Sequence, residues 1–410
     1  MSFGGYREKF AYYTTKRDQY INYIVQSIMN IIAQVASREP GSDDEKRGQK
    51  IMMDDLQHYC DTVVQESFTV HPHTLLGWIP VDAFLMIFST FAYFFQLRLI
   101  AFICTVISIL NLVFEFILYY EFLDPLFPKR ISTNVIATRK PKGEVKRIAV
   151  FNGHTDSNYE WWFNYLGGGH FLAFMIVIPI IGLIGTFLLH IILYSQYESW
   201  FATAQFFLLP FYTALFFFTN WNKIVPGAND NLSGATMAMC VAKYLAEQDI
   251  RFENTEVRIV LTGSEEPGLR GAKAYVKAHK EEIDNQNVEI AFFVFDTLRD
   301  LTDMAVYVRD LTGTVQNDPR VSSIMKRAGL MGGIDISDRI LFFGASDAAA
   351  FTQGGFPACC FAAMDPTPAS YYHTRRDSTE DLEPKAIGYG LDVAMGSLFI
   401  FDEEGLNGET

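Results

Sequence analysis

Two adjacent glutamates, Glu265 and Glu266, stand in Thr-Gly-Ser-Glu-Glu-Pro-Gly-Leu-Arg-Gly (262–271). On a short loop after a strand, one carboxylate can hold a metal. Its neighbour points elsewhere and can take a proton from water. That division of labour is the chemistry of metal-assisted hydrolysis. An exposed acidic turn is the plain alternative, so the rest of the chain has to decide.

Further donors recur where apolar runs stop. His154-Thr-Asp156 follows the strand-like Val-Lys-Arg-Ile-Ala-Val-Phe-Asn-Gly (145–153). His154 can offer a ring nitrogen to a metal, and Asp156 can fix the orientation of that ring. Asp230 sits in the turn-rich Pro-Gly-Ala-Asn-Asp-Asn-Leu-Ser-Gly (226–234), before a helix-like stretch at 235–246. A carboxylate there can bridge two metals with its two oxygens. Asp296 ends the apolar run 290–295, and His373 lies in a polar loop after the apolar segment 357–364. Two imidazoles and three carboxylates make a mixed N/O donor set that suits zinc. Sites in open α/β sheets form at the carboxyl ends of strands, where these residues fall.

The elements that must position them are partly readable. Residues 16–38 place Ile21, Ile24, Val25, Ile28, Ile31, Ile32 and Val35 at helical spacing. The loop 39–44 ends that helix, and its Ser-Asp caps a second one predicted to run to about residue 64.

The order His-x-Asp, Asp-Asn-x-Ser-Gly, Glu-Glu-x-Gly-Leu-x-Gly, Asp and Tyr-His-Thr resembles the M28 family of zinc aminopeptidases. The likeness spans roughly 25–70 and 130–400. It implies an α/β fold with a mixed twisted sheet sandwiched by helices. By the same likeness His154, Asp230, Glu266, Asp296 and His373 would ligate two Zn2+ ions, with Asp230 bridging. Glu265 would be the general base, and Asp156 would support His154. Tyr371 or Tyr372 would help stabilise the oxyanion. Ser346-Asp347 matches a Ser-Asp-His segment of the family, but Ala348 stands where that His belongs. Glutaminyl cyclases share the motifs, work with one zinc and usually carry Trp before the last His; Tyr372 here leans toward a peptidase. A non-catalytic interaction module of the same fold would lack ligands or the base, and all are present. Peptides are the implied substrate.

The chain has 410 residues, half of them apolar, with 36 Phe and a net charge of −14. That composition points to a lipid bilayer, and the absence of a Lys/Arg run argues against nucleic acid. Five cysteines with no ladder of spacings suggest neither a disulfide framework nor a Cys-rich zinc site. Residues 1–10 lack the apolar core of a signal peptide.

Four apolar blocks stand out. Two lie within 83–120, separated by Gln96-Leu97-Arg98; the others are 171–194 and 201–219. A span needs about 20 apolar residues. If His154 and Asp230 share one cluster, an even number of spans separates them, with a turn at 195–200. The expected organisation is one discontinuous peptidase-like domain (1–78, 125–168 and 223–410) interrupted by two transmembrane hairpins, 79–122 and 169–222. Lys129, Arg130, Arg139, Lys140, Lys142 and Lys223 flank the spans on the domain side, with only Arg98 opposite. Positive charge stays cytoplasmic, which places the domain on that face of a four-span protein. Paired hairpins also offer a surface for a homodimer. Glu115 within a span reads as a packing residue. His170, before the third block, could line an entry route.

Overall fold

A computed structural model describes residues 5–194, 196–286 and 288–407. Among the described residues eleven strands occur in chain order: β1 (Thr62–Val70), β2 (Arg130–Arg139), β3 (Arg147–His154), β4 (Tyr159–Trp161), β5 (Thr219–Ile224), β6 (Thr255–Thr262), β7 (Glu289–Leu298), β8 (Met304–Asp310), β9 (Val315–Gln316), β10 (Ser337–Ile340) and β11 (Ala358–Ala363). Nine of them form one mixed sheet in the order β1-β2-β6-β3-β7-β11-β8-β10, with β9 on β8; β4 and β5 pair separately. The four central strands, β6, β3, β7 and β11, run parallel to one another.

These central strands are buried on both faces, which is why they read as continuous apolar runs. Their side chains alternate between two cores. Ala149, Phe151, Phe293, Phe295 and Cys359 face one layer. Ile148, Val150, Phe292, Val294 and Cys360 face the other. The first layer packs under the helices Arg17–Gln34, Gly234–Glu247, Pro319–Met331 and Pro384–Glu404. The second packs under Arg270–Gln286 and Asp347–Gln353. The result is a mixed α/β fold with a central sheet between helical layers. All five cysteines are free.

Local chemistry explains the boundaries. Ser42 caps the helix Asp43–Leu56, its hydroxyl accepting from the Glu45 N–H at 3.1 Å. That helix does not continue to residue 64. It ends at Leu56, and the β-branched run Thr62-Val63-Val64 opens β1 instead. The helix expected over 16–38 runs Arg17–Gln34, with Ile24, Ile28 and Ile31 buried, and a further helix, Tyr6–Thr14, precedes it.

Among the described residues three helices are long and apolar enough to cross a membrane: Thr74–Phe94, Arg98–Ile117 and Trp162–Ile192. The first starts earlier than the apolar block at 83. Its turn into the second needs no glycine or proline, because Gln96 takes the left-handed conformation (φ 62°) and Leu97 N–H bonds the Ala92 carbonyl at 2.8 Å. The fourth block is not one continuous long helix. It folds as two short helices, Ser199–Phe206 and Leu209–Leu215, and then enters β5. Pro210 begins the second of these, where its missing N–H is tolerated; within a longer helix it would remove a bond. Ser195, in the expected turn, lies outside the described residues.

Glu115 is buried, and its carboxylate accepts the Leu123 N–H, a packing role. His170 lies exposed in the helix Trp162–Ile192, two residues past the break at Gly168 (φ 73°).

Candidate metal centre

His154 is the last residue of β3 and Asp296 lies near the end of β7. β6 stops at Thr262 and leads into Glu265 and Glu266. Parallel neighbours deliver their carboxyl ends to one edge of the sheet, so three strands converge there. Asp230 enters from the loop before the helix Gly234–Glu247, and His373 from the loop after β11.

The structure brings all of these residues together. Asp230 lies between the two imidazoles: its Oδ1 is 3.2 Å from His154 Nε2, and its Oδ2 is 3.0 Å from His373 Nε2. Glu266 Oε2 lies 3.2 Å from His373 Nε2, and Asp296 Oδ1 lies 3.9 Å from His154 Nε2. Two donor groups result, His154/Asp230/Asp296 and Asp230/Glu266/His373, each with its ligand atoms within 4.8 Å of one another. Tetrahedral donors at zinc–ligand distances of about 2.0–2.1 Å sit about 3.3 Å apart. Glu265 Oε2 stands 3.8 Å from His154 Nε2, outside both groups.

A ring of buried contacts holds this arrangement. Asp156 Oδ1 lies 3.4 Å from His154 Nδ1. The same carboxylate accepts the backbone N–H groups of Glu265 and Glu266 at 3.0 and 3.1 Å. Four further residues were not singled out in the sequence. Arg38 donates to the carbonyls of Thr155, Pro226 and Gly227, clamping the His154 loop to the Asp230 loop. Glu45 accepts the Ser264 N–H at 2.7 Å and fixes the start of the Glu265 loop. Asp377 accepts the N–H groups of Asn229 and Asp230. Asn158 Nδ2 donates to Glu266 Oε2 at 2.6 Å. Asp377 and Asn158 stand four residues from a candidate ligand each, which is the only sequence signal they carry. Arg38 and Glu45 carry none, because their partners are carbonyls and N–H groups far along the chain.

The tyrosines separate. Tyr371 hydroxyl donates to Asp300 Oδ2 at 2.8 Å, so it is committed elsewhere. Tyr372 stacks on His373 with ring centroids 3.9 Å apart and lines the cavity in front of Glu265. The Trp161 ring meets His373 edge-on at 4.4 Å and Tyr372 at 5.6 Å. Asp347 accepts the Thr262 hydroxyl and ties the end of β6 to the helix Asp347–Gln353.

The donor set fits divalent cations. Asp156, Asp230, Glu265, Glu266 and Asp296 carry five negative charges against one fixed positive charge on Arg38, since imidazoles acting as ligands are neutral. A buried excess of that size needs counter-charge. Without it, protons take the place of cations. Burial drives Glu265 and Glu266 up, and raises Asp296 to about 7. Burial alone would lower His373, but the Glu266 charge and the Asp230 contact outweigh it and raise His373 to about 10. Glu266 Oε1 is buried without a hydrogen-bond partner, a further donor turned inward.

A sequence model described as Peptidase family M28 matches residues 211–396. No curated protein sequence matches the chain. Solved structures share its fold at low identity. A zinc aminopeptidase from Bacillus subtilis is similar with a TM-score of 0.56 and 15% identity, over 92% of this chain and 94% of that one. An aminopeptidase from Aneurinibacillus sp. strain AM-1 gives 0.54 and 14%, over 94% and 95%. A glutaminyl cyclase from an Acidobacteriales bacterium gives 0.55 and 13%, over 94% and 96%.

Proposed function

We propose that the chain is a membrane-bound, zinc-dependent aminopeptidase. One observation carries this reading: the two oxygens of Asp230 face different imidazoles, with the Glu265 carboxylate beside them and outside both donor groups. His154, Asp230 and Asp296 would hold one ion, and Asp230, Glu266 and His373 the other. When bound there, zinc supplies Lewis-acid polarisation and stabilises developing negative charge.

The chain's own residues do the rest. Glu265 Oε2 takes the proton of an attacking water and later delivers it to the leaving amine. Asp156 sets the ring plane of His154 and pins the backbone of both glutamates, so base and ligand move as one unit. Asn158 holds the Glu266 carboxylate toward His373. The Tyr372 hydroxyl is the side-chain donor for the oxyanion. The similarity to zinc aminopeptidases supports the peptide-bond reading. N-terminal glutamine cyclisation is the second reading, kept by the equally similar cyclase; Tyr372 in place of Trp and the doubled donor set favour hydrolysis.

The three apolar helices support membrane insertion. Their outer faces leave large apolar side chains exposed, among them Phe84, Phe88, Ile103, Ile181 and Leu188. The basic residues flanking them favour a cytoplasmic catalytic domain. A panel of aminoacyl chromogenic substrates and a Gln-initiated peptide, with and without chelator, tests the activity on detergent-purified protein. Chelator-sensitive release of the N-terminal residue is expected; cyclisation without hydrolysis would replace the reading.

A further inference from the structure

A cavity of about 460 Å³ opens from the candidate metal centre, where Glu265, Glu266, Tyr372 and His373 line one end. It does not stop at the catalytic domain. It continues between the three apolar helices, where Leu76, Met86, Leu112, Ile176, Ile180 and Leu183 form its walls. Pockets that enclose a whole drug-sized ligand measure roughly 300–1,000 Å³, so the space exceeds what one terminal side chain needs.

We propose that this cavity takes a peptide rich in apolar side chains and that such peptides are the preferred substrates; the assignment rests on the peptidase reading above. The two ends of the cavity differ in charge. The carboxylate end suits the free ammonium group of a peptide, and the helical end suits apolar side chains leaving water. A peptide fits better than a bare lipid chain because the cavity is amphipathic. The side chains of Tyr372 and Thr367 line it beside the carboxylates of Glu265 and Glu266, and apolar residues form the rest of its wall. A peptide backbone offers those polar groups donors and acceptors, whereas an alkyl tail offers none.

The test uses the full chain in detergent with zinc. Two octapeptides share an N-terminal Leu; one continues with Leu, Val and Phe, the other with Ser, Gly and Asn. Leucine p-nitroanilide is the short reference. We expect kcat/KM at least tenfold higher for the apolar peptide. We also expect Ile180→Trp and Leu183→Trp, each checked for folding by its melting curve, to lower the ratio of apolar-peptide to anilide turnover at least fivefold. Equal kcat/KM for the two octapeptides, or an unchanged ratio in both folded variants, overturns the proposal. If none of the three substrates is cleaved, the peptidase reading has failed, and binding decides the cavity separately. The apolar octapeptide carrying a C-terminal dansyl group should then bind with a Kd at least tenfold below that of its polar counterpart. Displacement of that probe by a long-chain fatty amide more readily than by the unlabelled apolar peptide assigns the cavity to lipid and overturns the proposal.

Discussion

Asp156 stands behind His154: its Oδ1 is 3.4 Å from His154 Nδ1, while Asp230 faces the opposite nitrogen, Nε2, at 3.2 Å. The imidazole is thus held between two carboxylates, one oriented toward the candidate centre and one supporting it. Asp156 also accepts the N–H groups of Glu265 and Glu266, so a single side chain sets a ligand and the base. Outer partners of this kind typically change metal affinity by about 10–100-fold. Asp156→Asn is expected to weaken zinc binding by that factor, measured by competition with a chromophoric chelator. Unchanged affinity would separate Asp156 from the centre.

Glu265→Gln keeps the size of the side chain and removes the base. Activity should fall about 10²–10⁴-fold, while the zinc content of the variant matches that of the parent chain. Activity near the parent level would remove Glu265 from the mechanism.

Arg38 is fully buried and satisfies three carbonyls from two ligand-bearing loops. Arg38→Met removes the donor to the Thr155 and Pro226 carbonyls and leaves Gly227 with the Leu232 N–H alone, at a cost of about 2–4 kcal/mol. Arg47, whose guanidinium is exposed on the helix Asp43–Leu56, is the control; Arg47→Met should change stability little. Chemical denaturation of both variants in the same detergent checks the difference. Similar midpoints would mean that the clamp contributes nothing.

Much of this site was legible because the central strands are apolar on both faces and end abruptly in polar residues. His154, Asp296 and the Glu265 loop mark those ends directly. The supporting contacts were not legible, because Arg38 and Glu45 reach the ligand-bearing loops through backbone groups of Thr155, Pro226, Gly227 and Ser264, all more than a hundred residues away, and chain spacing carries no trace of that. The expected helix end at about residue 64 overran the true end at Leu56 into the first residues of β1, since that exposed strand at the sheet edge resembles a polar helix end. The fourth apolar block has the composition of a span, but its helix is interrupted between Phe206 and Leu209 before the chain enters β5 at Thr219. Composition does not register that interruption.

Glu39 gives a pH signature away from the centre. The His73 imidazole 3.7 Å away, the Tyr159 hydroxyl that donates to Glu39, and the Arg130 guanidinium at 2.6 Å, opposed by burial, hold its carboxyl down at about 2. The unfolded value is near 4.3. The folded state therefore binds fewer protons, so the stabilisation is present above about pH 4.3 and is lost as pH falls through 2. Thermal melting of the parent chain and Glu39→Gln should differ by several degrees at pH 6, and the gap should shrink toward pH 2.5. An equal gap at both pH values would contradict the assignment.

Metal counting reaches the shared position of Asp230 most directly. After dialysis against zinc and removal of excess, elemental analysis should find two zinc ions per chain, one in His373→Ala and fewer than one in Asp230→Ala. A parent chain that retains no stoichiometric zinc, or an Asp230→Ala variant that keeps the full complement, would contradict the account.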